Sequence, residues 1–408
     1  MAGPLAGIVV LDLSRILAGP WATQVLADFG AEVIKVEHPH GGDDTRSWGP
    51  PYLRDAQGRE TTESAYYLAT NRGKKSVAID LARPEGQDLV RGLAAQADVL
   101  VENFKVGGLA RYGLAYADLV PSNPGLVYLS ISAFGQDGPD AAEPGYDAMI
   151  QGLGGLMSIT GVPDGEPGAG PQKVGVAVAD LMCGMYAVSA ILAALHERHE
   201  SGQGQYIDLS LLDTQVAWLA NQNLNYLVTG TPPRRRGTAH PNIVPYQAFA
   251  TADGHFMLAV GNDAQFARFC AAVGEPALAA DPRYATNNAR VANRGELVPA
   301  IERVLRARTS REWITLLKAA QVPCGAINDI AQVFAEPQVR HRGLRIDLPH
   351  AAGGSAPGVR NPVRFERTPI AYERAPPPLG ADTGEVLGRR LGLDAGTLAG
   401  LRERGIVA

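Results

Sequence analysis

The chain has 408 residues, too many for one ordinary domain, and its 46% hydrophobic and 19% charged residues describe a globular protein able to fill a sizeable core. A formal net charge of −5 gives no footprint for nucleic acid, and the one basic cluster, Arg234–Arg236, lies in a Pro/Gly-rich stretch that reads as a solvated loop. Three widely spaced cysteines (Cys183, Cys270, Cys324) indicate neither a disulfide framework nor a zinc site, so no metal is expected.

Residues 7–37 read as a β-α-β unit. The continuous apolar run GIVVLDL (7–13) predicts a strand, a helix starts near Pro20 and ends at Gly30, and AEVIKVE (31–37) predicts the next strand. The pattern repeats with SVAID (76–80), a helix over 84–96, DVLVE (98–102), a helix around Leu109 and LVYLSIS (126–132). Unbroken Val/Ile/Leu runs joined by helices imply parallel strands buried on both faces, hence an α/β fold with a Rossmann-like open sheet. Such sheets bind ligands beyond the carboxyl ends of their strands, here near residues 14–18, 38–43, 103–105 and 133–138.

The stretch KVGVAVADLMCGMYA (173–187) carries one charged residue beyond its first lysine, Asp180, in apolar surroundings. Two readings are open. In one, Asp180 follows a short buried strand over 174–179 and caps the next helix. In the other, the same junction presents a poorly hydrated carboxylate to a substrate as a nucleophile. His196 and His199 share a face at that helix's C-terminal end and read as partners of its dipole.

QYIDLSL (205–211) predicts a further strand before a long helix through Tyr226. A Pro-, Gly- and Arg-rich linker follows at 230–245. A smaller α+β domain then opens with a hairpin whose Asp253-Gly254 pair signals a type I′ turn, followed by helices over 263–272, 295–307 and 309–320. Residues 340–380 read as irregular, and 384–403 as helical. The domain expectation is 1–225 plus 340–408 for the large unit and 226–339 for the small one. The N-terminus lacks the basic start of a signal peptide, and the one long apolar run is interrupted by Asp180 and two glycines. A soluble, cytoplasmic protein is therefore expected. Neither a dinucleotide-binding G-x-G-x-x-G, a phosphate loop (Leu68 stands where its first glycine belongs) nor a G-x-S-x-G elbow occurs.

Several ordered segments sit close to the predicted strand ends: SRILAGPWATQVLADFGAEVIKVEHPHGGDDTR (14–46), NRGKKSVAIDL (71–81), ADVLVENFKVGGLARYGL (97–114), PGYDAMIQGLGGLMSITG (144–161), QKVGVAVADLMCGMYA (172–187) and SGQGQYIDLSLLD (201–213). Together with HPNIVPYQAF (240–249) and PLGADTGEVL (378–387), they resemble the family III coenzyme A transferases, the group that includes formyl-CoA:oxalate and carnitine CoA-transferases. The resemblance implies that Asp180 is the nucleophile of a ping-pong exchange. The carboxylate attacks an acyl-CoA donor to give a mixed anhydride, and then becomes an aspartyl-CoA thioester. It also implies that Asp147 and Tyr146 stand close by, although Asp147 alone reads equally well as the cap of its own helix.

For coenzyme A, the resemblance implies Ile16, Leu17, Ala18, His38, Asn103 and Phe104, with Arg111 suited to a phosphate. Leu17 and His38 replace a glutamine and an arginine of formyl-CoA transferase, which argues against an oxalate enzyme. Gly261, in VGND, corresponds to the family's glycine loop, and Lys75 and Arg46 are further candidate anion partners or surface charges. The resemblance leans toward succinyl-CoA as donor and a C4–C6 dicarboxylate as acceptor, with no permanently bound cofactor, in a homodimer of interlocked rings. The rival readings are a 2-methylacyl-CoA racemase, whose histidine base is replaced here by Tyr146, and a non-catalytic acyl-CoA-binding relative.

Overall fold

Along each short apolar run, successive side chains enter opposite cores, which is what a strand buried on both faces requires. In the computed structural model, which describes residues 3–408, these runs form β1 (Val9–Asp12), β2 (Glu32–Glu37), β3 (Lys74–Ala78), β4 (Val99–Glu102), β5 (Val127–Ser132) and β6 (Tyr206–Ser210). All five neighbouring pairs are parallel and the order is β3-β2-β1-β4-β5-β6. Val10, Val33, Val99 and Val127 face one core, while Leu11, Ile34, Leu100 and Tyr128 face the other. The winding reverses between β1 and β4, so the switch-point crevice of a doubly wound sheet opens there.

Two helices, α1 (Ala18–Asp28) and α2 (Pro84–Ala94), cover opposite faces. On the α1 side lies α4 (Val178–Ser201), reached after α3 (Asp147–Leu153) and followed by α5 (Leu211–Trp218) and α6 (Asn221–Thr229). The C-terminal helices Thr383–Leu391 and Ala395–Glu403 complete the α2 side. By length and composition α4 could cross a membrane, but Cys183, Ala187, Val188, Ile191 and Ala194 place its inner face in the sheet's core.

Helices α1 and α4 approach closely at Gly184. A Cβ there would stand 2.8 Å from the carbonyl oxygen of Ala18 and 3.0 Å from Trp21 Cδ1. Gly184 lies one turn beyond Asp180, so this contact brings Asp180 close to the start of α1.

The chain divides into two compact units. One comprises the chain up to Leu156, Lys173–Thr231 and Arg340–Ala408; the other comprises Met157–Gln172 and Pro232–Val339. The segment 157–172, read from sequence with the N-terminal part, clusters with the second unit. Within that unit, Arg235 is largely buried and ion-paired to Asp164, with Nε donating to the Val162 carbonyl, so this arginine of the basic cluster is not a solvated charge. The second unit is built on a three-stranded antiparallel sheet, Tyr246–Ala250, His255–Ala259 and Cys324–Ala326, packed against helices Asp263–Ala272, Arg294–Leu305 and Ser310–Ala319.

Four local expectations need correction. The strand expected over 174–179 does not form: residues 174–177 lie outside regular structure, with Val176 half exposed, and residues 178–179 begin α4. The long helix through Tyr226 is two helices, broken at Ala220, which adopts a left-handed φ of 49°. The Asp253-Gly254 turn closes a four-residue connection in which the Thr251 N–H donates to the Gly254 carbonyl, rather than a two-residue type I′ loop. Residues 340–380 contain an antiparallel hairpin, Arg345–Pro349 with Ser355–Val359.

Candidate active site

The loop after β1 and the loop after β4 meet at the switch point. The Asn103 side chain clamps both backbone groups of Arg15: the Arg15 N–H donates to Oδ1 at 2.9 Å and Nδ2 donates to the Arg15 carbonyl at 2.8 Å. The next residue, Ile16, holds φ of 72°, a costly conformation for a β-branched side chain. Its N–H is shared between the two carboxylate oxygens of Asp43, each at 3.2 Å. Asp43 in turn pairs at 2.8 Å with Lys35, and Lys35 Nζ donates to the Ser14 carbonyl at 2.8 Å.

This pair is buried and strongly coupled to its surroundings. Burial alone would raise the Asp43 carboxyl, but Lys35 and the N–H and hydroxyl of Thr45 bring it down to about 2. Burial disfavours the Lys35 ammonium, and Asp43, Asp12 and Glu37 more than reverse this. Lys74 has less compensation: burial pushes it down to about 8 although it bonds Asp12 at 3.0 Å. Ion pairs under the strand ends thus hold the Ser14–Leu17 loop in its strained shape.

Two cavities flank that loop. The smaller, about 170 Å³, is lined by residues 15–18, Asn103, Phe104, Tyr146 and Asp180 among others. The larger, about 470 Å³, lies over β1, β2 and β3 and is lined by His38, Asp80, Arg111 and Tyr112 among others. Arg15, Phe104 and Lys105 line both, so an extended molecule can run from one to the other. Arg111 lies 4.5 Å over the Tyr112 ring. His38 accepts the His40 N–H on Nδ1 at 3.1 Å and turns Nε2 toward Asp80, 3.9 Å away.

Asp180 lies in the first turn of α4, but it does not cap that helix. The N-cap residue, Ala177, offers no side-chain acceptor. Asp147 supplies one from α3: its Oδ1 accepts the Ala179 N–H at 2.8 Å and that of Asp180 at 3.4 Å. Nor does Asp147 cap its own helix, whose N-cap is Tyr146. The other Asp147 oxygen accepts from Gln151 Nε2 at 2.6 Å. The Asp180 carboxylate accepts no hydrogen bond from the described residues. Burial, then the neighbouring Asp147 charge, pushes it up to about 7, against the helix N-terminus that would favour its anion.

Of the residues singled out in the sequence, Ile16, Leu17, Ala18, Asn103, Phe104, Tyr146 and Asp180 line the smaller cavity and His38 and Arg111 the larger. Asp147 stands behind Asp180. Gly261 belongs to the second unit, where its N–H donates to Gln265 Oε1 at 2.6 Å. Arg46 is no surface charge: it is buried, bonding Glu37 at 2.8 Å and Glu63 at 3.2 Å. Lys75 is likewise occupied by Glu32 and Glu385. The sequence reading missed Lys35, Asp43 and Gln151. It also missed Tyr66, whose phenol is raised first by burial and then by Asp180, Asp147 and Asp43. Lys35 had a visible signal as a charge inside an otherwise apolar strand; the other three had none.

Comparison with known proteins agrees with this geometry. The family model described as CoA-transferase family III matches residues 5–383. The chain is 55% identical over 384 residues to a succinate–glutarate CoA-transferase of Agrobacterium fabrum, covering 94% of this chain and 95% of that protein. It is 43% identical over 406 residues to a succinyl-CoA:glutarate CoA-transferase of Homo sapiens, covering 99% and 90%. Among solved structures, a CAIB/BAIF family protein from Brucella suis superposes with a TM-score of 0.83 at 47% identity, covering 96% of this chain and all of that one.

Proposed function

This chain belongs to CoA-transferase family III, and from that premise we propose that it moves coenzyme A from succinyl-CoA to a dicarboxylic acid of about the length of glutarate, with Asp180 as the covalent carrier. The observation that carries this reading is a carboxylate with no hydrogen-bond donor among the described residues, pushed up to about 7, lining a cavity at the switch point of the sheet. A carboxylate in water is a weak nucleophile because its hydration must be shed, and here that shedding is built into the fold. The activities named for the two relatives support the choice of donor and acceptor.

Asp180 attacks the thioester carbonyl; the C–S bond breaks and leaves a mixed anhydride and the CoA thiolate. The thiolate adds to the Asp180 carbonyl and expels succinate, giving an aspartyl-CoA thioester. The acceptor carboxylate then repeats the two steps in reverse, and the Asp180 carboxylate is regenerated. Water has no part in any step, so the thioester bond energy is kept. Negative charge developing on the carbonyl oxygen faces the N-terminus of α1, whose first N–H groups at Leu17 and Ala18 have no side-chain cap.

The pantetheine arm runs past Phe104 and Arg15, and the nucleotide end takes the larger cavity, where Arg111, Lys105 and His38 offer cations and donors. Asn103 shapes the loop through its two bonds to the Arg15 backbone and itself lines the smaller cavity.

The enzyme works as an intertwined homodimer in the cytoplasm. Exposed Met149 and Leu153 on α3, Met185 and Tyr186 on α4, and Leu227 and Val228 on α6 support an apolar surface that a second copy covers. Three free cysteines suit a reducing compartment. Peptide mass spectrometry after mixing with succinyl-CoA, without acceptor, tests the mechanism. A CoA adduct on the Asp180 peptide, absent from Asp180→Ala, is expected; no adduct together with normal turnover would overturn the covalent route. Light scattering at micromolar concentration tests the dimer.

A further inference from the structure

We infer that Gln151 is a positioning residue for the nucleophile, acting through Asp147; the inference rests on the reading of Asp180 as covalent carrier. Gln151 is fully buried in α3 and lines neither cavity. Each end of its amide meets only partners of the complementary kind. Nε2 donates to Asp147 Oδ2 at 2.6 Å and reaches the Val176 carbonyl at 3.4 Å, while Oε1 accepts the Val174 N–H at 2.8 Å. Asp147 can only accept and the Val174 N–H can only donate, so the amide has one orientation and cannot be flipped without loss.

Gln151 therefore ties together the two supports of Asp180. It holds one oxygen of Asp147, which leaves the other aimed at the N–H groups of Ala179 and Asp180. It also fixes Val174, in the segment that leads into α4, which has no cap of its own. Without this tie, Asp147 can rotate about χ1 and χ2 and the entry to α4 can fray. The nucleophile would lose its position and the fixed like charge that helps set its reactivity. The CoA-binding surfaces would be untouched.

Two variants test this through the half-reaction, read as the rate at which the Asp180 peptide acquires CoA from succinyl-CoA without acceptor. Gln151→Leu keeps the volume and removes both bonds. The expected result is a rate lower on the order of 100-fold, with the succinyl-CoA concentration for half-maximal rate unchanged. Gln151→Glu separates positioning from simple loss of stability. A protonated glutamic acid can still donate to Asp147, whereas an ionised one opposes it with a second negative charge. Its rate should therefore approach the wild-type rate at low pH and fall as pH rises, where the wild-type rate climbs.

A Gln151→Leu protein that folds and reacts at the wild-type rate overturns the inference. So does a Gln151→Glu pH profile parallel to that of the wild type, which also decides the matter if the leucine variant does not fold. Absence of the adduct in the wild-type protein would instead defeat the covalent reading itself, so the two failures are distinguishable.

Discussion

Replacing Asp180 with asparagine should stabilise the protein while abolishing the adduct. The carboxyl is carried from its ordinary 3.8 to about 7 by burial and by Asp147, and at about 1.4 kcal/mol per pH unit that costs the folded state up to about 4 kcal/mol once the group is ionised. The sign follows from proton counting. Below about pH 4 both folded and unfolded chains hold the proton and the group costs nothing. Between about pH 4 and 7 the unfolded chain ionises first, so stability falls as pH rises, and above about 7 the whole penalty is present. Asparagine does not ionise, and its amide can donate toward Asp147. With an unfolding entropy of about 2.1 cal/mol/K per residue over the whole chain, the difference corresponds to roughly 4–5 °C in unfolding midpoint. Thermal unfolding of both proteins by circular dichroism, from about pH 5 to pH 8.5, reads it directly, and comparing the two removes contributions from other titrating groups, such as Glu102. A midpoint difference that stays flat across this range, or a variant less stable than wild type at the alkaline end, would refute the claim that Asp180 is held at energetic cost.

Three further outcomes follow from the same geometry. The rate of Asp180 adduct formation should rise with pH and level off above about 7, since only the carboxylate attacks; a single-turnover profile flat from about pH 5 to 8 would contradict it. Asp43→Ala leaves the Lys35 ammonium buried without its nearest partner and releases the strained Ile16, so it should cost about 3–5 kcal/mol in urea unfolding and raise the half-saturating succinyl-CoA concentration. Gly184→Ala places a methyl group 2.8 Å from the Ala18 carbonyl oxygen, which pushes α4 off α1; it should slow the half-reaction far more than it weakens CoA binding, and equal effects on both would count against the packing argument.

The two-faced strands made the sheet legible in the sequence, because a continuous apolar run between helices has few other uses. The strand order was not legible; the sequence marked four strand ends as ligand positions, and only packing shows that the loops after β1 and β4 meet and line one cavity. Asp180 was legible as an anomaly, a lone carboxylate in an apolar run, but its role was not. Sequence spacing reads caps only along the local chain, and the residue that caps α4 comes from α3, 32 positions away. The same blindness made residues 174–179 look like a buried strand: apolar composition is common to strands, loops and helix starts, and only packing separates them.

The separation of capping from attack is what makes the site chemically coherent. A single aspartate cannot both cap a helix and attack a thioester, since each N–H bond that stabilises its anion lowers the nucleophilicity of the same oxygens. In the proposed mechanism the two duties fall to two residues. Asp147 accepts the N–H groups of the first turn of α4, so its charge is compensated. Asp180 accepts nothing from the described residues, and burial together with Asp147 pushes it up to about 7. The double variant Asp147→Asn, Asp180→Glu should form the adduct far more slowly than the wild type. The asparagine still caps, but the like charge is gone, and the carboxylate is displaced by about one methylene. A double variant that forms the adduct at the wild-type rate would show that neither the fixed charge nor the reach of the side chain matters, and that burial alone makes this carboxylate reactive.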